Sequence, residues 1–219
     1  MTILASTANE LAESGFVPDR LIRSGIRRLC ATRRDEISGQ NGKELNEFVE
    51  MMKSSPVALV PDLANEQHYE VPAAFFDQVL GVHRKYSCCY WGGGVTNLDE
   101  AEQASLEITC QRAKIRDGMK VLDLGCGWGS LSLWIASHYP NCAVTSVSNS
   151  ASQRKFILGE AASLGLTNLN VITADMNDFS IDQRFDRIVS IEMFEHMRNY
   201  SELFERISGW LNDDGLFFM

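Results

Sequence analysis

From Lys120 to the last residue, short apolar, β-branched runs alternate with stretches of helical periodicity. No other feature of this 219-residue chain narrows its fold as much. Lys120 to Leu124, Ala143 to Val147, Leu169 to Thr173, Arg187 to Ile191 and Leu216 to Met219 read as strands. Between them Ser130 to His138, about Ser152 to Ser163, and Tyr200 to Leu211 read as helices, the first stopped by Pro140 and the second by Gly165. Asp213-Asp214-Gly215 turns the chain into the last strand. Strict alternation of elements this long specifies a parallel, doubly wound α/β sheet. The chain stops inside its fifth run, which is expected to be a raw sheet edge.

Residues before Thr96 have a different texture, helical and irregular. The chain is therefore expected to divide into a helical cap or lid over 1–95 and a core over 96–219. Pro18-Asp19 opens a helix in which Ile22, Ile26 and Leu29 share one face. Arg20, Arg23, Arg27, Arg28, Arg33 and Arg34 take the other, which suits either an anionic lipid surface or plain water. A second helix, about Lys43 to Met52, aligns Leu45, Phe48, Val49 and Met52 in a stripe that reads as core. Pro56 and Pro61 interrupt the next stretch. Val71-Pro72 then starts a short helix bearing Phe75, Phe76, Val79 and Leu80, with Pro72 in the first helical position. After the Gly92-Gly93-Gly94 joint, Thr96 or Asn97 caps a helix that runs to about Ala113.

The chain is 45% hydrophobic and 22% charged, a globular composition. No run approaches the ~20 apolar residues that span a bilayer. Met1 to Glu10 lacks the basic and apolar segments of a secretory signal, which points to the cytoplasm. Lys and Arg number 20 against 29 Asp and Glu, a net charge of −9. That field repels phosphate backbones, so neither a nucleic-acid partner nor stable membrane association is expected, whereas a cationic small molecule is tolerated. The 6 cysteines (Cys30, Cys88, Cys89, Cys110, Cys126, Cys142) form no Cys-x-x-Cys pair and have no histidine at zinc-ligand spacing. They read as reduced thiols serving as small apolar residues, with no metal site.

Val121-Leu122-Asp123-Leu124-Gly125-Cys126-Gly127-Trp128-Gly129 sets a glycine turn at the end of the first strand, where ligands of doubly wound sheets bind. Lacking Cβ atoms, Gly125 and Gly127 let a ligand approach the backbone. The spacing is Gly-x-Gly-x-Gly, and the second strand ends at Ser148-Asn149 with no acid for a nicotinamide ribose, so a dinucleotide is disfavoured. Alone, the turn is equally a plain strand-to-helix connection. Asp123 either reaches a cationic amino group or orders the loop. Asp175, in Thr173-Ala174-Asp175-Met176, either accepts from an exocyclic amine such as adenine N6, with Met176 against the ring, or is a turn residue. Together the three strand ends suit an adenosine cofactor with a charged amino-acid tail, S-adenosylmethionine.

Four segments together resemble one family: Glu66-Gln67-His68-Tyr69-Glu70-Val71-Pro72, Lys85-Tyr86-Ser87-Cys88-Cys89-Tyr90-Trp91, the glycine turn, and Ser190-Ile191-Glu192-Met193-Phe194-Glu195-His196-Met197. They are similar to the cyclopropane-fatty-acid-synthase-like class of S-adenosylmethionine-dependent methyltransferases. Within it, the likeness is to the plant N-methyltransferases of benzylisoquinoline alkaloids, of the coclaurine and pavine type. The Tyr-Ser and Glu-x-x-Glu-His motifs are specific to the class; the glycine turn alone is not. The resemblance runs through nearly the whole chain and implies a Rossmann-like methyltransferase fold. It implies contacts from Tyr86, Ser87, Gly125 and Gly127 to the methionine part of S-adenosylmethionine. Ser148, Asn149 and Gln153 would lie near the ribose, and Asp175 and Met176 at the adenine. It also implies that Tyr69, Glu70, Glu192, Glu195 and His196 face a substrate amine. Members of the class continue through further strands, so the chain is expected to be C-terminally truncated.

Methyl transfer from a sulfonium is an in-line displacement that needs a free amine lone pair. A small cationic amine carries a proton at neutral pH, and His196 is the expected base because imidazole titrates near that range. Glu195 or Glu192 would orient it or hold the substrate cation, with Glu192 the more substrate-facing. Tyr69, Phe75, Phe76, Tyr90, Trp91 and Phe194 suit an aromatic box for a cationic bicyclic amine, although core packing serves Phe75 and Phe76 equally well. Two other readings stand beside this one. The first is methyl or methylene transfer to an unsaturated acyl chain, with the arginine helix facing a membrane. The second is a truncated form that only binds cofactor or pairs through its exposed edge, with a longer partner or as a homodimer.

Overall fold

The computed structural model describes residues 11–15, 17–39, 42–59 and 73–219. The chain falls into two compact units, Met1–Met51 and Met52–Met219. In the first, α1 (Asp19–Gly39) has no buried residue. Arg23 pairs with Asp19 at 3.8 Å, Arg33 with Glu36 at 3.1 Å and Arg34 with Asp35 at 2.8 Å, all exposed. Pairs of this kind contribute ~0–1 kcal/mol each, so they add little to the stability of the helix. In α2 (Gly42–Lys53) the expected core stripe is not core: Leu45, Phe48 and Val49 are 63%, 46% and 38% exposed. Hydrophobic periodicity identifies a helix face but does not say what covers it.

The second unit contains a five-stranded parallel sheet in the order β3-β2-β1-β4-β5. Its strands are β1 (Lys120–Leu124), β2 (Ala143–Ser148), β3 (Leu169–Thr173), β4 (Phe185–Val189) and β5 (Leu211–Phe218). Among its described residues this unit holds the helices α3 (Ala73–Val79), α4 (Leu98–Arg112), α5 (Ser130–His138), α6 (Ala151–Ser163) and α7 (Tyr200–Trp210). Alternation along the strands divides the core. Leu122, Leu124 and Ile188 pack with Leu203, Ile207 and Trp210 of α7. Val121, Val144 and Val189 pack with Leu106 of α4 and with Leu131, Trp134 and Ile135 of α5. Burying each such aliphatic side chain contributes ~1.5–3 kcal/mol, and burial on both faces explains the near-continuous apolar runs. Cys110, Cys126 and Cys142 are buried as small core residues, and no described helix is long and apolar enough to cross a membrane.

Two strand boundaries and one side chain differ from the sequence expectation. β4 begins at Phe185, because the Asp186 carboxylate is satisfied within the fold and can sit in a strand. It accepts from Lys120 N at 2.8 Å and from Asn212 Nδ2 at 2.7 Å. β5 begins directly after α7, at Leu211, and the expected turn at Asp213-Asp214-Gly215 lies inside it as an excursion, since a Cβ on Gly215 would lie 2.9 Å from Asn212 O. Its register shifts there, so that Phe185 and Arg187 face Leu211 and Leu216. Such a bulge absorbs polar residues without ending the strand. The third difference is Phe194, expected near the substrate but buried against Phe204 and Phe217. The helix over Ala73–Val79 is present. Pro72, the Glu66-to-Pro72 motif, Pro61 and the Met1-to-Glu10 segment lie outside the described residues. At α4, Asn97 is the cap: its Oδ1 accepts from Glu100 N at 3.0 Å, while Glu100 reaches back to Thr96 N at 2.7 Å. A cap of this type contributes ~1 kcal/mol.

Candidate functional site

The site is built at the C-terminal edge of β1 and β4. Leaving β1, the chain adopts positive φ at Gly125, Gly127 and Gly129, +81°, +52° and +81°. Two of these glycines answer packing demands: a Cβ on Gly125 would lie 2.8 Å from Met193 Cβ, and one on Gly129 would lie 2.6 Å from Ile157 Cγ1. Gly127 differs, because a Cβ there would meet nothing within 4 Å. Its backbone faces the open space of a cavity of about 440 Å³.

That cavity brings together Tyr86, Ser87, Asp123, Gly125 and Gly127 with Glu192, Glu195 and His196. Asp123 is 2% exposed. It accepts from Ser132 Oγ of α5 at 2.6 Å, and Ser132 in turn accepts from Ser146 Oγ of β2 at 2.6 Å. Burial raises its carboxyl to about 6 against the ordinary 3.8, with the Ser132 hydrogen bond pulling the other way. This network ties the strand end to α5, as a loop-ordering residue does. Glu192 has φ +58°, uncommon for a residue with a Cβ, and its Oε1 accepts from Cys88 N at 3.4 Å. Glu195 and His196 sit on the short 3₁₀ turn Phe194–His196 that follows.

The remaining expected residues lie at the ends of β2 and β3 and do not line this cavity. Ser148 Oγ donates to Gln153 Oε1 at 2.5 Å and accepts from Ser150 N at 3.0 Å. Ser150 caps α6. Asn149 is half-buried just before it. Asp175 Oδ1 accepts from Asn177 N at 2.8 Å, the contact of a turn residue, and Met176 is buried in the α7-side core. Tyr86, Tyr90 and Trp91 are exposed, and Phe76 is buried against Tyr86 and Trp128. Tyr69 and Glu70 lie outside the described residues.

Two contributors were not anticipated. Lys85 is buried, with its ammonium on Ser87 Oγ at 2.5 Å and on Cys88 O at 2.7 Å. Burial pulls its pKa below the ordinary lysine value, against the opposing influence of Cys89 and Glu192. Glu102 of α4 is fully buried and accepts from the backbone N–H groups of Gly81, His83 and Lys85. One sign was available in the sequence: Glu102 lies one turn before Leu106 and interrupts the apolar face that continues to Cys110. Three buried polar atoms have no partner among the described residues: Trp128 Nε1 and Ser130 Oγ beside the cavity, and Gln153 Nε2 at the start of α6.

A family model, mycolic acid cyclopropane synthetase, matches residues 61–219. The chain is 41% identical to (S)-coclaurine N-methyltransferase of Thalictrum flavum subsp. glaucum over 215 residues, 94% of this chain and 58% of that relative. Among solved structures, coclaurine N-methyltransferase bound to N-methylheliamine and SAH superposes with a TM-score of 0.87 and 38% identity, covering 98% of this chain and 63% of that one. A mycolic acid cyclopropane synthase complexed with SAH and CTAB gives a TM-score of 0.65 at 30% identity, over 73% and 56% of the two chains. The chain spans about half the length of the curated relatives it matches. The parallel sheet with flanking helices is thus the Rossmann-like methyltransferase fold, and this chain belongs to the mycolic acid cyclopropane synthetase family.

Proposed function

We propose that the chain is the cofactor-binding part of an S-adenosylmethionine-dependent N-methyltransferase for a small benzylisoquinoline-type amine such as coclaurine. The observation that carries this reading is the cavity at the β1 and β4 ends, where the open Gly127 backbone meets Tyr86 and Ser87 on one side and Glu192, Glu195 and His196 on the other. The donor set fits such a cofactor. Gly127 leaves room for a ligand against the backbone, and Trp128 Nε1, Ser130 Oγ and Gln153 Nε2 are buried without partners. The relatives crystallised with SAH support the same assignment.

In this reading Tyr86, Ser87, Gly125 and Gly127 hold the methionine end, with Asp123 ordering the turn beneath them. Ser148, Asn149, Gln153, Asp175 and Met176 serve the adenosine end. Bound S-adenosylmethionine supplies an activated methyl group on a sulfonium. His196 removes the ammonium proton of the substrate so that the nitrogen lone pair is free, and Glu192 and Glu195 hold the cation and orient the imidazole. Tyr69 and Glu70, outside the described residues, are assigned to the substrate amine on the family resemblance alone. The division of labour is a helical cap over 1–95, of which residues 84–87 line the cavity, and a binding core over 96–219.

The test is a calorimetric titration of the 219-residue chain with S-adenosylhomocysteine, followed by methyl transfer to secondary amines, with unsaturated phospholipid vesicles as a second acceptor. Micromolar binding and amine methylation are expected. Absence of binding refutes the reading for this chain, and modification of the vesicles instead of the amine replaces it with lipid chemistry, which the family match also accommodates.

A further inference from the structure

Tyr86 and Ser87 reach the cavity from an irregular segment between α3 and α4, and irregular segments have no ladder to fix their backbone. Here the fixing comes from carboxylates. Glu102, 0% exposed, accepts from Gly81 N at 2.9 Å, His83 N at 2.8 Å and Lys85 N at 3.1 Å. Asp99, three residues earlier on α4, takes Val82 N at 2.8 Å. Arg84, the residue these contacts skip, has φ +46° and turns outward to Asp77 at 2.7 Å and Glu160 at 3.2 Å. The loop lies so close to α4 that a Cβ on Gly81 would fall 2.6 Å from Asp99 Oδ1 and 2.7 Å from Glu102 Oε2.

From Lys85 the restraint passes into the cavity wall. Its ammonium binds Ser87 Oγ and Cys88 O, Ser105 Oγ of α4 also donates to Cys88 O at 3.4 Å, and Cys88 N meets Glu192 Oε1 at 3.4 Å. One buried carboxylate thus stands at the head of a chain of contacts that ends on a proposed substrate-facing residue.

The geometry points to Glu102 as a positioning residue: by gathering the backbone N–H groups of Gly81, His83 and Lys85, it sets the Tyr86-Ser87 step against the cofactor end of the cavity. This rests on the reading that Tyr86 and Ser87 hold the cofactor. Glu102 does not line the cavity and acts only through the loop. Hydrogen bonds to an ionised acceptor are among the stronger ones, and an amide in its place loses the charge and leaves a buried N–H poorly paired.

The experiment compares the full chain with Glu102→Gln and Gly81→Ala, which disturb the same contact from the helix side and from the loop side. Amide hydrogen exchange is read at residues 81, 83, 85, 87 and 88 and at the core positions Leu122 and Val144. S-adenosylhomocysteine affinity is read by calorimetry. In each variant, loop exchange is expected to accelerate about tenfold and affinity to fall about tenfold, while core exchange holds. Unchanged affinity with released loop amides overturns the inference, because the loop is then not coupled to the site. Core amides accelerating in proportion also overturn it and make Glu102 a stability residue alone. If the parent chain itself fails to bind, the cofactor reading falls. The inference is then decided by residues 87 and 88, which Glu102 does not touch: acceleration there supports it and its absence overturns it.

Discussion

The ends of β1 and β4 and the ends of β2 and β3 lie along one edge of one sheet, yet the residues at them are used differently. At β1 and β4 the Gly127 backbone, where a Cβ would meet nothing within 4 Å, lies with Glu192, Glu195 and His196 around a cavity of about 440 Å³. At β2 and β3 the comparable residues do not line that cavity. Ser148 is bonded to Gln153, Asp175 to Asn177, and Met176 is in the core. Position at the carboxyl end of a parallel strand therefore locates a candidate residue, and lining the cavity or packing within the chain separates the two ends. Gln153 is intermediate, because its Oε1 is satisfied and its Nε2 is not.

The largest expected effect tests the cavity side. In a chain competent for turnover, His196→Ala lowers the rate by roughly 10²–10⁴, with S-adenosylhomocysteine affinity unchanged in a calorimetric titration. An undiminished rate removes His196 from proton transfer. Next comes Gly127→Val. The branched side chain enters the open space and sits at φ +52°, a backbone region that costs an L-residue about 1–2 kcal/mol. Affinity should drop by at least about tenfold, with only a modest loss of melting temperature. An unaltered affinity means the cavity is not where the cofactor lies. Gln153→Met and Ser148→Ala then probe the other side. Removing the Gln153 amide should weaken binding a few-fold, and Ser148→Ala should do the same while also costing roughly 1–3 kcal/mol of stability, because its hydroxyl holds Gln153 Oε1. Unchanged affinity in both variants would remove the β2 end from the cofactor site.

Much of this was legible in the sequence, and what was not has identifiable causes. Buried parallel strands are apolar along their whole length, so β1, β2 and β3 appear in the sequence nearly at their true bounds. β4 and β5 start earlier than expected because Asp186, Asp213 and Asp214 look unlike strand residues until Lys120 N, Asn212 and the register shift account for them. The glycine turn and the Tyr86-Ser87 and Glu192-to-His196 segments, each singled out because it follows a strand end or carries a distinctive motif, line one cavity. Glu102 and Lys85 went unseen for the opposite reason. Glu102 gathers backbone N–H groups 17 to 21 residues away and Lys85 holds Ser87 Oγ and the Cys88 carbonyl of its own loop, and backbone groups have no letter in the sequence.

Asp123 tests the contrast most finely, because it lines the cavity while its carboxylate is already engaged by Ser132. If it only orders the turn, Asp123→Asn leaves cofactor affinity unchanged; if it meets the cofactor's amino group, affinity falls. Stability separates the roles further. Burial raises the folded carboxyl to about 6 from 3.8, so the folded chain holds this proton more tightly than the unfolded one. The stabilisation linked to it is complete below the unfolded value and disappears as pH rises through about 6. Two pH units at 1.36 kcal/mol each make this on the order of 2–3 kcal/mol. Asparagine carries no titrating proton and still accepts from Ser132, so a denaturant titration of Asp123→Asn should lack that decline between pH 4 and pH 7. An identical decline in the variant assigns the slope to another group, and the affinity of Asp123→Asn for the cofactor then decides between turn and ligand.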